Sequence, residues 1–321
     1  MVWRCQFVPF LLIGCAVSVP GAFVAVAWTA EPPKEAVAQA KGSAQAPKQE
    51  TGTSDQYLRL ARDAEKNPLA LEAAIVRLAP ADRRRQGPTV DLVSAVHVAE
   101  KSFYARLNRE FDNYDVVLYE MIAPEGFRIT KGAGGRSDSP VSKVQKAMTD
   151  LLELEFQLEG IDYTRKNMVH ADMSPAQLTR SMKKRGDSVT AIFLRMIGYA
   201  MARQGQNEGA NEFQILMALF DKDRAMALKR LMAEEFAEMG GSLSGLEEIA
   251  GATIIVERNK VALEVLRRQL ATGKNKIAIF YGAGHMPDFQ RRLHDEFGLT
   301  PVSTRWLAAW ELRDKGRRND E

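Results

Sequence analysis

Two hydrophobic periods alternate along this chain and divide it into strands and helices. Short apolar runs bounded by polar turns, "LEAAIVRLAP" and "TVDLVSAV", predict two strands joined as a hairpin across the polar "ADRRRQGP". "YDVVLYEM" and "KIAIFY" read as buried strands, "ATIIV" as another, and "VSTRWLAAWEL" as a terminal one. The helical period governs Glu100–Asp112, where Phe103, Leu107 and Phe111 share one face, then Asn259–Leu270, then "FQRRLHDEF" at Phe289–Phe297. "DQYLRLARDA" predicts a short helix where order begins, near Asp55. From Val141 to about Met239 the pattern is mostly helical, broken at Gly160, Pro175, Gly186 and Gly205–Gly209. Ser174 and Pro175 mark a helix start there, and Gly240-Gly241 a helix stop. Met196, Met201, Met217, Met226 and Met232 in this region read as core packing.

The ends of the chain follow neither period. Arg4 precedes a mostly apolar, charge-free stretch from Phe7 to Ala30, which predicts a signal peptide or an N-terminal membrane anchor over residues 1–30. Processing sites are offered after Ala27 and Ala30. "LIGC" at Leu12–Cys15 resembles a lipobox, but the residues after Cys15 stay apolar. Residues 31–54, rich in Pro, Ala, Gln and Lys, predict a flexible linker. The folded domain is expected over 55–312, with a helical insertion at about 141–250 and a polar tail at 313–321. The expected location is extracytoplasmic, in the envelope or secreted, with membrane attachment through the N-terminal segment.

Composition removes several function classes. The 44 basic and 41 acidic residues leave a net charge of +3, too balanced for a nucleic-acid partner, and no nucleic-acid-binding signature is present. Cys5 and Cys15 are the 2 cysteines, so the folded body holds no disulfide and no Cys-ligated metal. The glycine cluster in "PEGFRITKGAGGRSDSP" lacks the Gly-Lys-Ser/Thr of a P-loop, and HExxH, GxSxG and CxxC are absent.

An internal echo brings in the chemistry. The helix after "SAVH" reads "FYARLNREF" and the helix after "GAGH" reads "FQRRLHDEF"; both spell F-x-x-R-L-x-x-E-F. Both follow an apolar strand ending in small residues and a histidine, His97 in one and His285 in the other. Both lead to a strand ending aromatic-Glu-apolar, at Tyr119–Met121 and Trp310–Leu312. If two such units pair, their strand ends converge, and ligands in open α/β sheets sit beyond the carboxyl ends of strands.

The residues at those ends suit a divalent ion. His97, His285 and Glu120 would supply two imidazoles and a carboxylate for Zn²⁺, Mn²⁺ or Co²⁺. Glu120 or Glu257 could act as general base, and Arg258 could neutralise an oxyanion or clamp a carboxylate. Ser94 and Gly282 are the small residues preceding each histidine. Other readings of the same residues stay open. A histidine after a strand is more often structural, Glu257-Arg258-Asn259 reads equally well as a helix start, and Arg258 could serve Glu120 structurally. His170 in "NMVHADMSP" is a further candidate ligand or a loop hydrogen-bonding group, and His294 sits on a solvated helix face.

At these residues the chain resembles the TraB/PrgY/GumN family, which includes the Tiki proteins and is related to erythromycin esterase-like and ChaN-like haem-binding proteins. The second GxxH motif falls on Gly282 and His285. The first falls on Ser94 and His97, with Ser in place of Gly. The family's strand-end Glu falls on Glu120, and its Glu-Arg pair on Glu257 and Arg258. The resemblance covers roughly Leu71–Met121 and Thr253–Leu312. It implies an α/β (α+β) fold: a duplicated strand–helix core with a mixed sheet and a helical insertion between the halves. It implies a metal-dependent, peptidase-like hydrolase using Mn²⁺ or Co²⁺ on a peptide or protein substrate. Two other expectations remain beside it: a non-catalytic envelope protein that sequesters haem or a peptide, and a metal-free esterase-like hydrolase with a histidine base.

Overall fold

A computed structural model of the chain describes residues 57–82, 87–124, 127, 152–186, 217–218, 220–240 and 253–313. The N-terminal segment, the 31–54 linker, the glycine-rich loop, Met196 and Met201 lie outside the described residues. Among the described residues no helix is long and apolar enough to cross a membrane.

The fold is α/β, with one mixed sheet between two helical layers. The main strands are β1 (Leu58–Arg62), β2 (Pro68–Pro80), β3 (Thr89–Ala95), β5 (Val116–Tyr119), β7 (Met168–His170), β8 (Lys276–Gly282) and β9 (Leu299–Glu311). Two short strands, β4 (Val98–Ala99) and β6 (Glu155–Phe156), pair separately. β3, β8, β5 and β7 lie side by side in that order and are all parallel. β2 runs antiparallel to β3 through Ile75–Leu78, and β1 takes the earlier part of β2, from Pro68 to Ala73. β9 pairs antiparallel with β2 from Ala70 to Pro80. It therefore runs in the same sense as β3 and β8.

The helices are α1 (Lys101–Phe111), the single turn α2 (Gln157–Gly160), α3 (Pro175–Lys184), α4 (Arg224–Gly240), α5 (Arg258–Ala271) and α6 (Met286–Phe297). β8 sits in the middle of the parallel block and is apolar on both faces, as a strand covered on both sides must be. Ala278 and Phe280 join a core with Phe103, Tyr104, Leu107 and Phe111 of α1 and Ala233 of α4. Ile277, Ile279 and Tyr281 join a second core with Ala262, Leu263 and Leu266 of α5 and Met286, Phe289 and Leu293 of α6. α6 stops at Gly298, whose φ of 66° is a left-handed cap.

The two echoed units occupy opposite faces of this sheet. β3–α1–β5 crosses one face and passes over β8; β8–α6–β9 crosses the other face in the opposite direction. The two crossovers therefore have the same hand, as connections between like-directed strands require.

Two local expectations are corrected. Leu58–Arg62 is a strand, not a helix: Leu58 and Leu60 pack on the α1-side core, while Arg59 bonds Glu72 at 2.7 Å and lies 4.1 Å over the Trp306 ring. "TIIVE" at Thr253–Glu257 is a π-helical turn leading into α5, not a strand. Its β-branched residues favour a strand, but Ile255 is buried and the turn packs against α3, so tertiary packing prevails. Within the central region β7 completes the main sheet beside β5. The helix start at Ser174 holds: Ser174 Oγ accepts from Gln177 N and Gln177 Oε1 from Ser174 N, with Pro175 at the first turn. Met226 is buried and Met232 partly so, as core packing predicts, whereas Met217 is exposed.

Candidate functional site

The register of β3 against β8 places the two histidine-bearing ends beside each other. Ala95 pairs with Gly282, so the chain leaves both strands at one level and reaches His97 two residues later and His285 three residues later. β5, on the other side of β8, ends at Tyr119, and Glu120 follows with its N–H still bonded to Phe280 O at 3.2 Å. Strand alternation puts Glu120 on the same face as Leu118, the face covered by α5. α5 begins with Arg258 and Asn259, both buried.

Glu120 is held on three sides. Its Oε2 accepts the Gly282 N–H at 2.7 Å, and its Oε1 accepts Arg258 Nη2 at 2.6 Å. His285 Nε2 stands 3.6 Å from the same Oε1, too long for a hydrogen bond. Arg258 also grips Asp172 in a fork, Nε to Oδ1 at 2.9 Å and Nη2 to Oδ2 at 2.5 Å. A Cβ built on Gly282 would meet Glu120 Oε2 at 3.4 Å and His285 Cδ2 at 3.8 Å, both ordinary contacts. Gly282 therefore contributes its N–H rather than an empty space.

These contacts fix the charges. Burial pushes the Glu120 carboxyl up, but Arg258, His285 and His97, in that order, together with the Gly282 N–H, hold it below the ordinary carboxylate range. Burial pushes His285 down, and its value falls to about 4 despite the attraction of Glu120. At neutral pH His285 is thus uncharged, and Arg258 is the cation that keeps Glu120 ionised. Burial works against the charge of Arg258 as well, yet Glu120 and Asp172 hold it well above its ordinary value. Two carboxylates, one guanidinium and one neutral imidazole leave this buried cluster with one net negative charge.

Both imidazoles rest on amides. His285 Nδ1 lies 2.7 Å from Asn259 Oδ1, and its ring meets Tyr281 and Phe289 at centroid distances of 5.2 and 6.4 Å. His97 is half-buried and its Nδ1 lies 3.1 Å from Gln157 Oε1, while its backbone carbonyl accepts Gln157 N at 2.9 Å. Gln157 Nε2 in turn donates to the Tyr163 hydroxyl at 2.9 Å, and the Tyr163 ring packs edge-on against Tyr119 at 5.0 Å.

The sequence-derived candidates separate here. Glu120, His285, Arg258 and the Gly282 N–H form one cluster, and His97 reaches it through its electrostatic effect on Glu120. Glu257 faces away: its carboxylate bonds Arg185 Nη2 at 2.6 Å and Lys260 Nζ at 2.8 Å, and Lys260, then burial in opposition and Arg185 in support, leave it below its ordinary value. Glu257 precedes α5 and turns to Arg185 and Lys260, whereas Arg258 and Asn259 of the first turn of α5 are the buried residues that face the cluster. His170 Nε2 bonds the Met121 carbonyl at 2.5 Å, a tie on the chain just beyond Glu120. Ser94 is buried on β3 with an Oγ that has no hydrogen-bond partner among the described residues. Asp172, Asn259 and Gln157 were not singled out in the sequence. The available signals were an acid just past a strand in "HADMSP" and an asparagine directly after the Glu-Arg pair.

Among the described residues, no three His, Cys, Asp or Glu side chains stand close enough together to hold an ion. The pair of His285 Nε2 and Glu120 Oε1 nevertheless passes a simple test. Two ligand atoms each ~2.0–2.2 Å from one ion stand roughly 3.0–3.7 Å apart at ordinary ligand angles, and the observed separation is 3.6 Å. No family model matches the chain, and no curated protein or solved structure matches it either.

Proposed function

We propose that this chain is an exported or membrane-anchored TraB/GumN-like hydrolase, peptidase-like in its substrates, with its site at the carboxyl ends of β3, β5 and β8. The observation that carries the reading is the meeting of Glu120 and His285 beyond adjacent parallel strands, in a buried cluster with net negative charge. The order Ser94-x-x-His97, Glu120, Arg258, Gly282-x-x-His285 supports the family, and the apolar Phe7–Ala30 stretch supports export.

His285 and Glu120 would supply an imidazole and a carboxylate to a divalent ion, Mn²⁺, Co²⁺ or Zn²⁺; among the described residues no third His, Cys, Asp or Glu, His97 included, stands close enough to complete the set. Such an ion would polarise a substrate carbonyl and acidify water near neutral pH. The protein's own contribution is separate from that. Arg258 keeps Glu120 ionised, so its carboxylate accepts rather than donates. His285 is uncharged and so offers an electron pair. The Gly282 N–H and the guanidinium fix the orientation of the carboxylate, so the acceptor is placed before substrate arrives.

Hydrolysis of a mixed peptide library by the full-length protein, followed by mass spectrometry with and without added Mn²⁺, Co²⁺ or Zn²⁺, tests this reading. Cleavage should depend on the ion and should fall at least ~10²-fold in Glu120→Gln, the lower range for loss of a general acid–base group. Cleavage unchanged by chelation and by Glu120→Gln would remove the site from the chemistry.

A further inference from the structure

The environment of His285 says which of its ring nitrogens carries the proton. Asn259 is fully buried on the first turn of α5. Its Nδ2 donates to His285 O at 3.1 Å and to Asp288 Oδ2 at 3.0 Å. Both are acceptors without a proton of their own: one is a backbone carbonyl, and the other is a carboxylate bonded to the side chains of Arg291 and Arg292. If the amide were turned over, its oxygen would face those two acceptors and its NH₂ would face the ring. The orientation is therefore fixed by chemistry, and Oδ1 faces His285 Nδ1 at 2.7 Å. An amide oxygen can only accept, so Nδ1 must carry the hydrogen.

We propose that Asn259 is a positioning residue that holds His285 in its Nδ1–H tautomer and so aims the bare Nε2 electron pair at Glu120. Nε2 and Glu120 Oε1 then face each other 3.6 Å apart as two acceptors. Two acceptors this close inside the protein suit a cation or a substrate donor between them and suit nothing apolar. Consecutive residues of one helical turn thereby set both halves of the pair: Arg258 orients the carboxylate and Asn259 orients the imidazole. Free imidazole in a histidine prefers the opposite tautomer, with the hydrogen on Nε2, so the amide has a definite bias to overcome. At His97 the lock is weaker. Gln157 Nε2 bonds the Tyr163 hydroxyl, which can donate as well as accept, so that amide can turn over.

The inference rests on the site proposed above, but it is readable without any activity. Long-range ¹H–¹⁵N spectra of the full-length protein with ¹⁵N-labelled histidine, recorded without metal at pH above 7, report the proton on each ring nitrogen. His285 is identified by its loss in His285→Gln. The expected result is a protonated Nδ1 and an unprotonated Nε2. In Asn259→Leu, shown folded by circular dichroism, the ring should revert toward Nε2–H, and affinity for Mn²⁺ should fall on the order of 10–100-fold. An Nε2–H ring in the unsubstituted protein would overturn the inference, as would an unchanged tautomer in folded Asn259→Leu. If that variant does not fold, the spectrum of the unsubstituted protein decides alone. The expected tautomer in a protein that binds no metal would leave this inference standing and count against the hydrolase reading.

Discussion

Arg258 Nη2 bonds both Glu120 and Asp172, at 2.6 and 2.5 Å, and Nε adds a second bond to Asp172 at 2.9 Å. Arg258 and Asp172 are buried and Glu120 is partly so, and the arginine joins residues from α5, the end of β5 and the segment after β7. One guanidinium therefore compensates two carboxylates, and its removal would strand both. Removing one partner of a buried ion pair costs ~3–5 kcal/mol, because the remaining charge has no water to turn to. Arg258→Met should lose stability of that order in urea denaturation. Glu120→Gln should lose less, since Arg258 keeps Asp172 and the amide oxygen can still accept from Gly282 N.

Acid should unfold the protein through His285. Its value is about 4 in the folded chain against 6.5 ordinarily. Between these values the unfolded chain takes up a proton that the folded chain refuses. Stability from this group is therefore complete above pH 6.5 and is lost as pH falls toward 4, by about 3 kcal/mol in all. Glu120 is also lowered, so below about 4.5 it removes further stability in the same direction. Denaturation midpoints measured from pH 7 to 4 should fall. The part between 6.5 and 4.5 should be much reduced in a folded His285→Gln variant.

Among the described residues, Ser94 Oγ is buried without a hydrogen-bond partner. An unsatisfied buried polar group costs ~1–3 kcal/mol. Ser94→Ala keeps nearly the same volume and removes that group, so it should stabilise the protein by ~1 kcal/mol in thermal or urea unfolding. Cleavage activity should not change, because no contact of Ser94 Oγ reaches Glu120 or His285.

Glu257 behaves as a surface residue. Its partners Arg185 and Lys260 are 40 and 49 % exposed, and exposed pairs are worth ~0–1 kcal/mol. Glu257→Gln should change stability by less than ~1 kcal/mol and leave activity intact. A large loss of activity would restore it as a general base.

The parts of this account that were legible in the sequence are those governed by period and order. β3 and β8 are short apolar runs buried on both faces, α1 and α6 each bury the face that their spacing marks, and the shared F-x-x-R-L-x-x-E-F unit points to adjoining strand ends. β1 reads as a helix in sequence although Leu58 and Leu60 alternate with Arg59, because five residues carry too little pattern to separate a strand from one helical turn. "TIIVE" was misread because packing overrode β-branched propensity. Asp172 and Asn259 carry only weak local signals: their partners lie 86 and 26 residues away, and only the folded sheet brings them to Arg258 and His285. Glu257 is a neighbour of Arg258 in sequence, but its carboxylate turns to Arg185 and Lys260 rather than to Glu120.

The central claim is that Glu120 and His285 form a cation site. Isothermal titration of Mn²⁺ or Zn²⁺ into the purified full-length protein at pH 7 tests it directly. One ion per chain should bind, and binding should be lost in Glu120→Gln and in His285→Ala. No bound ion, or an ion bound equally well by folded Glu120→Gln and His285→Ala, would contradict it.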